Sequence, residues 1–140
     1  MTVMRMMKRA AVVLAGSVAL VLLGTTQAQA AVTWLWERAG GNNIGTASYT
    51  DSGNVIKVDD QEVNDKSLLL FVHRPGVSNG YACWDHGGAD GPGTTCNLSQ
   101  YDENTLLEGY LCQGEWASNP ANRVIYWGGC DKAHAKTFRK

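Results

Sequence analysis

Past residue 30 the chain has no sustained 3.6-residue apolar period, which excludes a helix bundle as its main architecture. It has no cysteine pair of the C-x2-C kind. Its four cysteines, Cys83, Cys96, Cys112 and Cys130, have 12, 15 and 17 residues between them, so the close pairs of a structural zinc site are missing. There is no G-x-S-x-G elbow or other local signature of an activated nucleophile. There is no internal repeat, linker or low-complexity tract, and residues 31–140 read as one domain. A basic excess is also missing. Of the 12 basic residues, Arg5, Lys8 and Arg9 lie in the first thirty, leaving nine against 13 acids, a net charge of −4. Nucleic acid is therefore not an expected partner, because phosphate binding needs a basic face. No catalytic residue, cofactor or metal is assigned.

What is present begins with a leader. Three basic residues precede an apolar stretch from Ala10 to Gly24, and Ala28-Gln29-Ala30 supplies a small-x-small site. This is the pattern of a secretory signal peptide, a cleavable N-terminal helix over residues 1–30 with cleavage after Ala30. The apolar stretch falls short of the roughly 20 residues that span a bilayer, so no stable membrane insertion is expected after cleavage. Export places the four cysteines in an oxidising compartment, where an even count points to disulfides. Three connectivities are open. The sequential one, Cys83–Cys96 and Cys112–Cys130, is preferred because each pair brackets a turn-rich stretch between expected strands.

Those strands are short. "VTWLWER" (Val32 to Arg38) is rich in β-branched and aromatic residues, with Val32, Trp34 and Trp36 expected on one face. "TASYT" and "VIKVDD" flank the turn "DSGN". "SLLLFVHR" is continuously apolar from Leu68 to Val72, which suits a strand buried on both faces, and Pro75-Gly76 ends it at strand length. "GYACW", "TLLEGYLC" and "RVIYWGGC" supply the rest, the last two each expected to end at a cysteine. A short helical turn is expected near "SQYDENT", capped by Ser99. The fold class is all-β: a small antiparallel β-sandwich or barrel of about six to eight short strands. The tail "DKAHAKTFRK" reads as a frayed, basic terminus, or one that touches an anionic polymer.

The stretches "YTDSGNVIKVDD", "YACWDHGGADGPGTTCNL" and "VIYWGGC" together resemble a group of small secreted two-disulfide proteins of actinobacteria. Asn54 departs from that pattern, where an acid is usual. The resemblance implies a β fold and secretion; it brings no active site with it.

The candidate contact residues come from two loops. Between Cys83 and Cys96 lie Asp85, His86 and Asp90 among glycines. The aspartates with nearby carbonyls could hold calcium, yet two carboxylates are few for an ion that takes six to eight oxygens, and glycine and aspartate also build plain turns. "DDQEVND" offers Asp59, Asp60, Glu62 and Asp65, read as a solvated loop. Of three histidines, His73 ends the apolar strand, His134 sits in the basic tail, and His86 is the best placed for chemistry. The five tryptophans are the most suggestive feature. Three or more are expected inside, one of them against a disulfide, and Trp116 in "GEWASNPAN" is expected outside. These features point to a secreted, non-catalytic module that binds an extracellular protein or glycan. The alternatives are an inhibitor of an extracellular hydrolase, presenting its stapled loop, and a small secreted hydrolase using His86.

Overall fold

A computed structural model describes residues 32–37 and 44–140. The proposed leader, residues 1–30, lies outside them. The described chain is all-β, with nine strands in two antiparallel sheets and no closed barrel. The strands are β1 (Val32–Trp36), β2 (Gly45–Thr50), β3 (Val55–Asp60), β4 (Ser67–His73), β5 (Gly80–Trp84), β6 (Thr94–Asn97), β7 (Leu106–Glu115), β8 (Val124–Ile125) and β9 (Lys136–Arg139). One sheet runs β1-β2-β3-β6. The other runs β5-β4-β7, with β8 and β9 both paired to the far edge of β7.

Alternation sets the first sheet. Ala47 and Tyr49 of β2 and Ile56 and Val58 of β3 are buried, while their neighbours Ser48 and Lys57 face outward. The β2–β3 turn closes because Gly53 and Asn54 both adopt left-handed backbone, at φ 96° and 54°. Asparagine tolerates that conformation and its side chain works there too. It accepts from the Tyr49 hydroxyl and donates to Glu103.

β4 is buried on both faces, and this explains its unbroken apolar run. Leu68, Leu70 and Val72 enter the core between the sheets, with Leu98, Leu107 and Leu111. Leu69 and Phe71 point the other way and join Trp84, Tyr110 and Cys112 in a second cluster. That outer face would be wet in a simple sandwich. Here a strap of two 3₁₀ turns, Trp127–Gly129 and Lys132–His134, lies over it and brings Cys130 and Ala135 onto the cluster. The Cys112–Cys130 disulfide ties the strap to β7. The Cys83–Cys96 disulfide does a different job: it joins β5 of one sheet to β6 of the other. Each closed loop contributes roughly 3 kcal/mol in the chain-entropy picture.

Several expectations need correction. The strand count is nine because the tail is not frayed. Residues 136–139 form β9, and Phe138 is 3% exposed, packed on Tyr49 at 4.4 Å and edge-on to Trp36 at 5.9 Å. β7 does not stop at Cys112 but runs on to Glu115, where it pairs with β8. Cys130 follows a 3₁₀ turn, not a strand. The segment Ser99–Thr105 holds turns and no helix, with Asn104 at φ 63°. In β1 the register shifts between Val32 and Trp34, so these two residues oppose adjacent positions of β2, Thr50 and Tyr49; the side chains of Val32 and Trp34, expected on one face with Trp36, lie outside the described residues.

Candidate functional site

β5 and β7 both run antiparallel to β4, so their C-terminal ends leave the sheet at the same end. The loop after β5 carries His86, and the loop after β7 carries Trp116. The two rings meet, with centroids 5.1 Å apart and planes 35° from parallel. β8 returns beside Glu115 and puts Arg123 next to them, its guanidinium 5.4 Å from the Trp116 ring centre. The Arg123 Nε–H donates to the Ala117 carbonyl at 2.8 Å, which holds the head group over the indole. At the same end, the Tyr126 hydroxyl donates to Glu115, and the Lys66 ammonium lies 5.9 Å from the Tyr126 ring centre. The Glu115 carboxylate beside it holds the Tyr126 phenol above its ordinary pKa. Trp116 is 37% exposed, so the cluster is an aromatic and cationic surface rather than a core.

The Cys83–Cys96 loop divides into a structural part and a displayed part. Asp85 is fully buried. Its Oδ2 accepts from the Asp60 backbone N–H at 2.8 Å, and its Oδ1 accepts from the Gly87 N–H and the Thr94 hydroxyl. Asp60 does the same for the β3–β4 crossing between the sheets, accepting from the N–H groups of Glu62 and Leu68. Two buried carboxylates therefore hold the β3–β4 and β5–β6 crossovers. Asp85 is thus placed as a turn-former, withdrawn from any ligand. Burial raises the Asp60 carboxyl pKa; the two N–H donors oppose this, and the nearby Asp85 carboxylate adds to it. Of the other acids of "DDQEVND", Glu62 and Asp65 are exposed as expected, whereas Asp59 is half-buried in β3 and, with Asp60, belongs to the strand and not to the expected solvated loop. Asp90 is exposed at a turn closed by Gly91 N–H to the Gly88 carbonyl. Gly93 is required by geometry: it sits at φ 75°, and a Cβ there would lie 2.6 Å from the Val58 carbonyl oxygen.

Of the expected contact residues, then, the structure joins Trp116 and His86, leaves Asp90 exposed on the same stapled loop as His86, and buries Asp85. The four cysteines pair sequentially. Among the described residues no group of three metal-binding side chains converges. Trp36 and Trp84 are buried, whereas Trp116 and Trp127 are exposed, the latter at 50% with its ring edge-on to Phe71 at 5.0 Å. The Trp34 side chain lies outside the described residues, so at most three of the five are inside. His73 ends β4 as expected, with Nδ1 2.9 Å from the Arg74 carbonyl. Arg123 was missed by the sequence reading. No local signal links it to Trp116; only the β7–β8 pairing brings them together.

No protein-family model, curated protein or solved structure matches this chain. The site's meaning rests on its own chemistry. Among the described residues, no helix is long and apolar enough to cross a membrane.

Proposed function

We propose that the protein is a secreted, non-catalytic binding module that engages an extracellular protein through Trp116, His86 and Arg123. The supporting observation is the cluster itself: a half-open indole held against an imidazole and a guanidinium on loops fixed by a disulfide and by Asp85. Tryptophan, tyrosine and arginine are the residues whose truncation most often costs an interface its affinity. A pre-ordered loop lowers the entropy lost on docking. Two disulfides in a small domain suit an oxidising compartment and support the secretion part of the proposal. The kinship with small actinobacterial exported proteins belongs to the same proposal.

The test is capture from culture supernatant on immobilised protein, with a glycan array run in parallel. Retention of a partner that Trp116→Ala and Arg123→Ala each weaken by about tenfold or more supports the proposal. Retention unchanged in both variants refutes the site. Array binding that Trp116→Ala abolishes would replace the protein partner with a glycan.

The second reading, inhibition of an extracellular hydrolase, draws on the same pre-ordered loop, which displays His86 and Asp90. A retained hydrolase whose turnover falls on mixing would favour it. A hydrolase reading through His86 stands or falls with His86→Ala, which must abolish any turnover found.

A further inference from the structure

Where the β1 edge of one sheet meets the β9 edge of the other, a cavity of about 330 Å³ opens, lined among the described residues by Leu35, Trp36, Glu37, His134 and Lys136. That volume lies in the range of small-molecule sites. Trp36 is buried and its Nε1–H donates to the Gly109 carbonyl at 2.9 Å, so it offers the cavity only apolar ring. Leu35 adds a second apolar wall. The exposed His134 ring is oriented by a buried partner. Asp131 is buried, and its two carboxylate oxygens lie 2.8 and 2.9 Å from His134 Nδ1. A carboxylate accepts and does not donate, so Nδ1 carries the proton and the ring is held with Nε2 available. The 3₁₀ turn Lys132–His134 sets this geometry, with the His134 N–H donating to the Asp131 carbonyl. Two residues later Lys136 begins β9.

The cavity therefore has chemically opposite sides. Residues 134–136 supply an ammonium and an oriented imidazole. β1 and the residue after it supply the Glu37 carboxylate and apolar surface. Among the described residues no ion pair within 4 Å joins Glu37 to Lys136. We propose that this cavity binds a zwitterionic small molecule of the α-amino-acid class with an apolar side chain. Its carboxylate meets Lys136, its ammonium meets Glu37 and donates to the His134 Nε2 lone pair, and its side chain lies against Leu35 and Trp36. The site is separate from the Trp116 cluster. Lys136 pairs with Gly109 and Val124 with Glu115, six residues apart along β7, or roughly 20 Å at strand rise.

The test is NMR titration of the purified protein with leucine, N-acetylleucine and leucinamide, following the side-chain signals of His134 and Lys136. The proposal expects saturable shifts with leucine and binding about tenfold weaker for each blocked derivative, which lacks one of the two charges. Glu37→Gln and Lys136→Met should each weaken leucine by a similar factor, with the core methyl signals unmoved. No saturable shift with leucine up to about 10 mM overturns the proposal. So does N-acetylleucine binding as well as leucine, because Glu37 would then have no ammonium to recognise.

Discussion

Replacing Phe138 with alanine tests whether the basic tail is part of the cooperative fold. Phe138 lies two residues before Lys140, on a four-residue strand near the end of the sequence, where substitutions are ordinarily harmless. Its side chain, however, is 3% exposed and packs between Tyr49 and Trp36, with Leu107 opposite it on β7. Deleting a buried phenylalanine removes its transfer free energy and leaves a cavity, a loss of about 3 to 5 kcal/mol. Domains of this size hold about 5 to 15 kcal/mol in total. With a urea m-value of about 1.5 kcal/mol/M, a 3 kcal/mol loss moves the unfolding midpoint down by about 2 M. The assay is equilibrium urea unfolding with the disulfides intact, read by tryptophan fluorescence, in which Trp36 reports from the same cluster. Phe138→Leu keeps most of the volume and should cost no more than about 1.5 kcal/mol. A Phe138→Ala midpoint within about 0.5 M of wild type would refute the claim that β9 is core.

Three further outcomes are expected. Asp85→Ala should cost about 2 to 4 kcal/mol in the same assay, since it strips an acceptor from the buried Asp60 N–H and from two further donors, while Asp90→Ala stays within about 0.5 kcal/mol; equal effects would remove the distinction between the two aspartates. Burial, with Asp51 and Glu103 nearby, pushes the Tyr49 phenol up to about 12. The folded state thus keeps its proton where the unfolded chain has lost it, and stability should fall between about pH 10 and 12 by roughly 2 to 3 kcal/mol; Tyr49→Phe should flatten that fall, and an unchanged slope would show that another group carries it. Trp116→Ala should leave the unfolding free energy within about 0.5 kcal/mol of wild type even though it removes partner capture, and a large stability loss would place Trp116 in the core instead.

The legible parts of this fold share a physical cause. The run from Leu68 to Val72 announces a strand with no wet face, and the structure finds apolar partners on both of its sides. The alternation in "VIKVDD" appears as burial of Ile56 and Val58. The sequential cysteine pairing is found, but only Cys83–Cys96 brackets a turn-rich stretch between strands; Cys112 lies inside β7 and Cys130 on the strap, so the two bridges differ in role, one joining sheets and one holding a strap. The tail was not legible. "KTFR" presents a single apolar residue among polar ones, too short a pattern to distinguish a strand from a solvated end. The tail acquires its strand character only from the open edge of β7. The two aspartates of the stapled loop were equally opaque. Asp85 and Asp90 have similar glycine-rich neighbours, and what separates them is a backbone N–H 25 residues away. The Trp116 site was half visible. Trp116 and His86 each stood out in their loops, but their contact depends on β5 and β7 flanking the same strand in the same direction.

By itself the sequence determined the class of structure: strands set by alternation and apolar runs, turns set by glycine and asparagine, and cysteines suited to bridging. These are local properties, written in periods of two residues and in single-residue backbone preferences. Only the tertiary structure decided that a basic tail completes the core, that one aspartate is buried while its neighbour is displayed, and that His86, Trp116 and Arg123 form one surface. The first two rest on pairings across 25 to 90 residues and the third on the β5–β4–β7–β8 strand pairing, and no local pattern specifies such partners.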